Sequence, residues 1–217
     1  MKLLILLFFT IACSHVKKTN YPPQWWQEVP KDQLHWWEVS PASVSKDQVV
    51  LSKRNQLGLL SNFAHTPFQF KGKRYQSMEG FWQAMKYPEL IKDPRSYSNK
   101  WSYQRGEVES MVGFTAKKAG DEASQIMREL KIDWVSFEKV KMPYRTSIKG
   151  PHYQLIRKAM EAKLHQNMAV KKVLLATGKL TLVADHHTKT TDPPAWKYYQ
   201  IWMEIRESLQ SKGKYLK

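Results

Sequence analysis

Glu79 stands out for the side chains around it. It falls within the stretch Leu60 to Tyr87, LSNFAHTPFQFKGKRYQSMEGFWQAMKY, among aromatic, amide and cationic residues. That mixture suits a sugar-phosphate or nucleoside. Cleaving a glycosidic C–N bond builds positive charge on the ribose, and a nearby carboxylate stabilises that charge or directs water to the anomeric carbon. Ser77 suits a helix N-cap, which puts Glu79 in the first turn, where the helix dipole favours the ionised form unless burial opposes it. Position alone favours an acidic residue that merely supports a helix start.

Other side chains extend the set. Lys86 lies about two helical turns after Glu79 on the same side, so it is placed either to answer a phosphate from the same cleft or to sit as a solvated lysine. Asn62, beside Phe63, suits a ribose or base edge, and asparagine before an aromatic residue is also an ordinary turn former. Trp134 and Trp196 are candidates to stack on a base or to pack in the core. His186 and His187 beside Asp185 do not make a metal site, because adjacent histidines on a strand point to opposite faces and no Cys/His spacing accompanies them. GxGxxG, GxxxxGK[ST] and GxSxG are all missing from the sequence, so no cofactor or nucleophilic serine is indicated.

The elements that must carry these residues read as mostly helical. A strand over Gln48 to Leu51 opens the folded part, and Phe68, Phe70 and Tyr75 suggest a hairpin turning at Gly72. A helix follows from Ser77, and apolar periodicity predicts further helices over Glu107 to Ala119, Glu122 to Leu130, His152 to Gln166 and Trp196 to Leu209, with a strand over Leu180 to Val183. The expected fold class is α+β, a mainly α-helical single domain with a small β-sheet, over residues 48–217.

The first residues read differently. Lys2 precedes the apolar run Leu3 to Ile11, too short for a membrane-spanning helix and suited to a signal-peptide core over residues 1–12. Cys13, the single cysteine, follows at Thr10-Ile11-Ala12-Cys13-Ser14. This resembles a bacterial lipoprotein signal, with Thr10 where leucine is usual, and implies an exported protein held to a membrane by lipid on Cys13; an ordinary signal peptide with an incidental cysteine is the alternative. Residues 13–47, with Pro22, Pro23, Pro30 and Pro41, read as a tether. It carries Trp25-Trp26 and Trp36-Trp37, which either pack as an arm on the domain or engage a bilayer interface or a sugar polymer. The 217 residues carry a net charge of +16, from 35 basic and 19 acidic side chains without a basic run. That favours anionic partners, or is simply a soluble basic surface.

In order and spacing, Ser61-Asn62-Phe63, Pro67-Phe68, Gly72, Ser77-x-Glu79 and Gln83-Ala84-x-Lys86-Tyr87 resemble the NADAR family of YbiA-like N-glycosidases. The resemblance resumes at Glu161 to Asn167, Leu174 to Gly178, Leu182-Val183, Asp192 to Trp196 and Met203 to Leu209. It implies hydrolysis of an N-glycosidic bond to ribose in phosphoribosyl intermediates of the riboflavin pathway or in ADP-ribosylated nucleobases, including those in nucleic acid. It casts Glu79 and Asp192 as the carboxylates, with Asp185 as rival to Asp192, and Asn62, Phe63, Lys86, Trp134 and Trp196 as substrate-binding. The chain departs from the family at Gly80, where histidine is usual, and after Trp196, where a glycine-rich loop is usual. An insertion lies between Trp134 and His152. The rival expectation is a degenerate domain that binds an ADP-ribose-like or other anionic ligand without turning it over.

Overall fold

Two apolar runs far apart in the chain meet as parallel strands. β1 (Gln48–Val50) pairs with β6 (Thr181–Val183) in the register Gln48↔Thr181, Val49↔Leu182, Val50↔Val183. Val49, Val50, Leu51 and Leu182 are buried, so successive residues of β1 are covered on both faces, as is usual for parallel strands. Parallel strands leave a sheet at the same end. Lys53 and Asp185, just past β1 and β6, therefore emerge side by side. The computed structural model describes residues 21–214, so the readings of residues 1–12 and Cys13 lie outside the described residues.

Two hairpins complete the strands. β2 (Phe68–Phe70) and β3 (Lys73–Tyr75) turn at Lys71 and Gly72, both at positive φ (51° and 75°). β4 (Trp134–Phe137) and β5 (Val140–Pro143) form a second hairpin in the insertion, turning at Glu138 and Lys139 with φ of 49° and 67°. The fold is α+β and dominated by helix, and among the described residues its sheet content is three separate two-stranded pairs.

The helices are α1 (Met78–Ala84), α2 (Arg105–Glu109), α3 (Gly113–Glu129), α4 (Pro151–Gln166), α5 (Met168–Ala176) and α6 (Tyr198–Lys214). Ser77 does cap α1, its Oγ accepting from the Gly80 amide at 2.9 Å. The expected break near Gly120 is instead at 110–112, and α3 runs straight through Gly120. At that position a Cβ would lie 1.9 Å from the side-chain oxygen of Gln83, so glycine lets α1 press against α3. Gly80 has a similar reason. A Cβ there would sit 2.5 Å from the Met111 carbonyl oxygen and 2.8 Å from that of Val108.

Residues 21–47, read as a tether, pack on the domain from Tyr21 onward. Trp25 is 1% exposed within the main core, flanked by Tyr21 and Trp26. The Trp26 indole donates to the Gln48 carbonyl at 2.8 Å. For this pair the packed-arm alternative holds, because the core offers the rings an apolar seat. Farther along, Arg54 grips Glu38 through two nitrogens, at 2.7 and 2.8 Å. Glu38 also forms an antiparallel bridge with His186. No helix among the described residues is long and apolar enough to cross a membrane.

Candidate functional site

The loop before Phe63 is pinned by three elements in succession. The Leu60 carbonyl accepts from the Trp202 indole of α6 at 2.7 Å, the Ser61 carbonyl from Lys163 Nζ of α4 at 2.9 Å, and the Asn62 carbonyl from the Glu79 amide of α1 at 2.8 Å. Buried carbonyls need such donors, each worth about 1 kcal/mol net. Asn62 and Glu79 are thereby fixed against each other. The Asn62 side-chain amide has no hydrogen-bond partner among the described residues.

Above this loop lies a cavity of about 570 Å³ into which Asn62, Phe63 and Glu79 project together with Lys53, Lys117, Asp121 and Asp185. Aromatic rings supply most of the remaining lining, and several of them form two groups of neighbouring rings. Phe63, Phe114 and Trp37 form one, with centroids 5.1 and 6.0 Å apart. Trp82, Tyr144 and Trp196 form the other, at 6.4 and 5.1 Å. Lys53 Nζ lies 4.8 Å from the Phe63 ring and 5.2 Å from the Trp37 ring while bonding to Asp185.

The two buried carboxyls differ in character. Burial pushes Glu79 above the usual carboxylate range, and neither the amide that Gln83 donates at 2.6 Å nor the charges of Lys86, Lys117 and Lys53 bring it back. The short α1 dipole expected to keep it ionised is outweighed by desolvation. Burial also acts to raise Asp185, but the adjoining His186 ring and the Lys53 ammonium more than offset it and hold Asp185 below its usual range. Tyr198 donates to the same Asp185 oxygen at 3.1 Å. Among the described residues no cluster of three or more His, Cys, Asp or Glu is placed to hold a metal ion.

Of the residues singled out in the sequence, Asn62, Phe63, Glu79 and Trp196 come together here. Asp192 does not line the cavity. Its carboxylate accepts from the Lys189 amide at 2.8 Å and closes its own turn. Of the two candidates for the second carboxylate, the one in the cleft is the rival, Asp185, put there by the β1–β6 pairing. Lys86 is buried and points into α3, donating to the Gly120 carbonyl at 3.1 Å and Ser124 Oγ at 2.8 Å. Lys86 stays on the Glu79 side, its ammonium 5.2 Å from the Tyr144 ring, but α3 rather than the cleft takes up its donors. Burial brings Lys86 down to about 8. Trp134 is elsewhere, between the Arg95 guanidinium at 4.4 Å and the Lys141 ammonium at 4.3 Å. A side chain at position 80 would meet the end of α2 rather than the cleft, so glycine there costs the site no contact. Despite the missing glycine-rich loop after Trp196, the cavity persists, with Trp196 and Tyr198 in its wall.

Lys53, Tyr144 and Phe114 are absent from the sequence reading of the site. Asp185 is in the sequence reading only as a rival, and its meeting with Lys53 is legible only after the runs VVL and LVA are paired in parallel. Tyr144 arrives on the inserted hairpin, where Arg145 lies over the Trp196 ring at 5.1 Å.

No family model matches the chain, and no curated protein matches it. Among solved structures it is similar to the E. coli protein YbiA, determined by NMR, at 22% identity, with 78% of this chain and 89% of that one covered and a TM-score of 0.45.

Proposed function

We propose that the protein is a hydrolase that cleaves an N-glycosidic bond to ribose, in an ADP-ribose-type or phosphoribosyl-nucleobase substrate. One observation carries this reading: Glu79 and Asp185 share a cleft while their environments displace them in opposite directions, one toward holding a proton and one toward holding a charge. Opposed displacement of two carboxyls is how one site supplies both an acid and an anion. Glu79, in the protonated form that its burial favours, gives its proton to the departing base nitrogen as the C1′–N bond breaks and its electron pair leaves with the base. Ionised Asp185, rather than Asp192, stabilises the oxocarbenium-like ribose. Glu79, now a carboxylate, takes a proton from water as the water oxygen bonds to C1′, which returns the enzyme to its starting state. Asn62 meets ribose hydroxyls, and Lys53 and Lys117 meet phosphate.

Lys53 favours a second reading. Its ammonium already sits on Asp185, and an anion neutralised in this way suits a domain that binds an anionic nucleotide without turnover. Glu79→Gln separates the two. Under the first reading the variant keeps ligand affinity and loses base release; under the second neither changes.

We place the protein at the bacterial envelope, exported and held to a membrane through Cys13, on the strength of the lipoprotein-like pattern at residues 1–13. Unchanged detergent partitioning of Cys13→Ser would remove that support.

A further inference from the structure

We propose that Trp36, carried by the N-terminal arm, is the stacking platform for the planar base of a nucleotide held in the cleft. This rests on the same cleft as the hydrolase reading and names the part of the ligand that the arm would select. Trp36 lines the cavity mouth and is 89% exposed. Its neighbour Trp37 is engaged, with the His35 ring stacked on it at 5.4 Å and 6° and Phe114 edge-on at 6.0 Å. Trp36 has no ring or cation partner among the described residues, so both faces of its indole are open.

The arm is anchored on both sides of this indole. The Val39 amide donates to the Asp185 carbonyl at 3.0 Å, and the His187 amide to the Trp37 carbonyl at 3.2 Å. Arg54 adds a bond to the Gln33 carbonyl at 2.6 Å beside its two to Glu38. These contacts tie the tryptophan pair directly to the strand end that presents Asp185. A large apolar ring fixed at the rim of a cleft gains by being covered, and a nucleobase covers it with any of its faces. Within the cleft, Lys53 and Lys117 are suited to the phosphate of the same ligand.

The test is equilibrium binding of two probes to the full chain by calorimetry: adenosine 5′-monophosphate, which has a base, and ribose 5-phosphate, which has none. Trp36→Ala is expected to weaken the nucleotide about tenfold while leaving ribose 5-phosphate within about twofold, and Trp36→Phe to recover most of the loss. Equal weakening of both probes would make the arm a structural brace, and an unchanged or undetectable nucleotide affinity would remove the platform. Loss of binding to anionic phospholipid vesicles with nucleotide affinity intact would assign the ring to a membrane instead. Binding is read without turnover, so a failure of Glu79→Gln to stop base release overturns the hydrolase reading and leaves this one standing.

Discussion

The side-chain amide of Gln83 donates to Glu79 Oε1 at 2.6 Å across one turn of α1, and Gly120 of α3 leaves it the space to do so. The α1–α3 crossing therefore sets the acidity of the carboxyl as well as its position. Gly120→Ala must displace Gln83 and remove a donor that favours the carboxylate. The expected outcome is a further rise in the Glu79 pKa, seen as a shift of the corresponding limb of the pH–rate profile to higher pH. A lowered rate with an unmoved profile would mean that Gln83 is only packing.

Glu79 also has a signature in stability. Its pKa is raised above the ordinary 4.5 by burial, so the native state holds this proton more tightly than the unfolded chain does. The carboxyl costs nothing at low pH, where both states are protonated, and costs progressively more as pH rises through the raised value. Glu79→Gln is therefore expected to melt above the parent at about pH 8 and level with it near pH 4. A variant less stable at both pH values would show a carboxylate that contributes structure.

Asp185 and Asp192 are separated by activity. Asp185→Asn is expected to slow base release by about 100-fold or more, as for loss of a charge aimed at a transition state, whereas Asp192→Asn should stay within about twofold. The reverse order would return the role to the loop before Trp196.

Lys163 is fully buried with the Ser61 carbonyl as its acceptor, and burial pulls it from 10.5 down to about 7. Between those values the unfolded chain binds more protons, so the contribution to stability is complete above about 10.5 and is lost as pH falls through about 7. Lys163→Met should flatten the rise in urea-unfolding free energy between about pH 7 and pH 10, leaving the smaller slope due to Lys86. It should also cost about 1–3 kcal/mol at the upper end, where the Ser61 carbonyl loses its donor. Parallel curves for parent and variant would mean that Lys163 titrates as an ordinary surface lysine.

Much of this molecule is legible from local signals. Ser77 as a cap, Gly72 as a turn and the periodicity of α4 and α6 each act over a few residues, and each is found as the sequence places it except that α6 starts at Tyr198 and runs on to Lys214. The β4–β5 hairpin is not legible, because its turn is built from Glu138 and Lys139 at positive φ without the glycine or asparagine that normally marks one. The helix through Gly120 is hidden for a related reason, since that glycine serves a neighbouring helix and breaks nothing. Of the site, the segment from Asn62 to Glu79 is continuous enough to read and Asp185 is read as a rival, whereas the place of Asp185 in the cleft, Lys53 and Tyr144 depend on pairings between distant strands and an insertion. The family resemblance points to Asp192 because a tryptophan follows it, and that says nothing about which way a carboxylate faces.

The most direct measurement is base release in ¹⁸O-labelled water. The full chain and Glu79→Gln are each incubated with ADP-ribosylated guanine nucleic acid, NAD and phosphoribosylaminouracil, and the products are read by mass spectrometry. A free base and a ribose product carrying one ¹⁸O, from the parent chain and not from Glu79→Gln, is the result this account predicts. Equal release by both proteins would contradict the role of Glu79, and no release from any substrate, together with measurable ADP-ribose binding, would contradict hydrolysis itself.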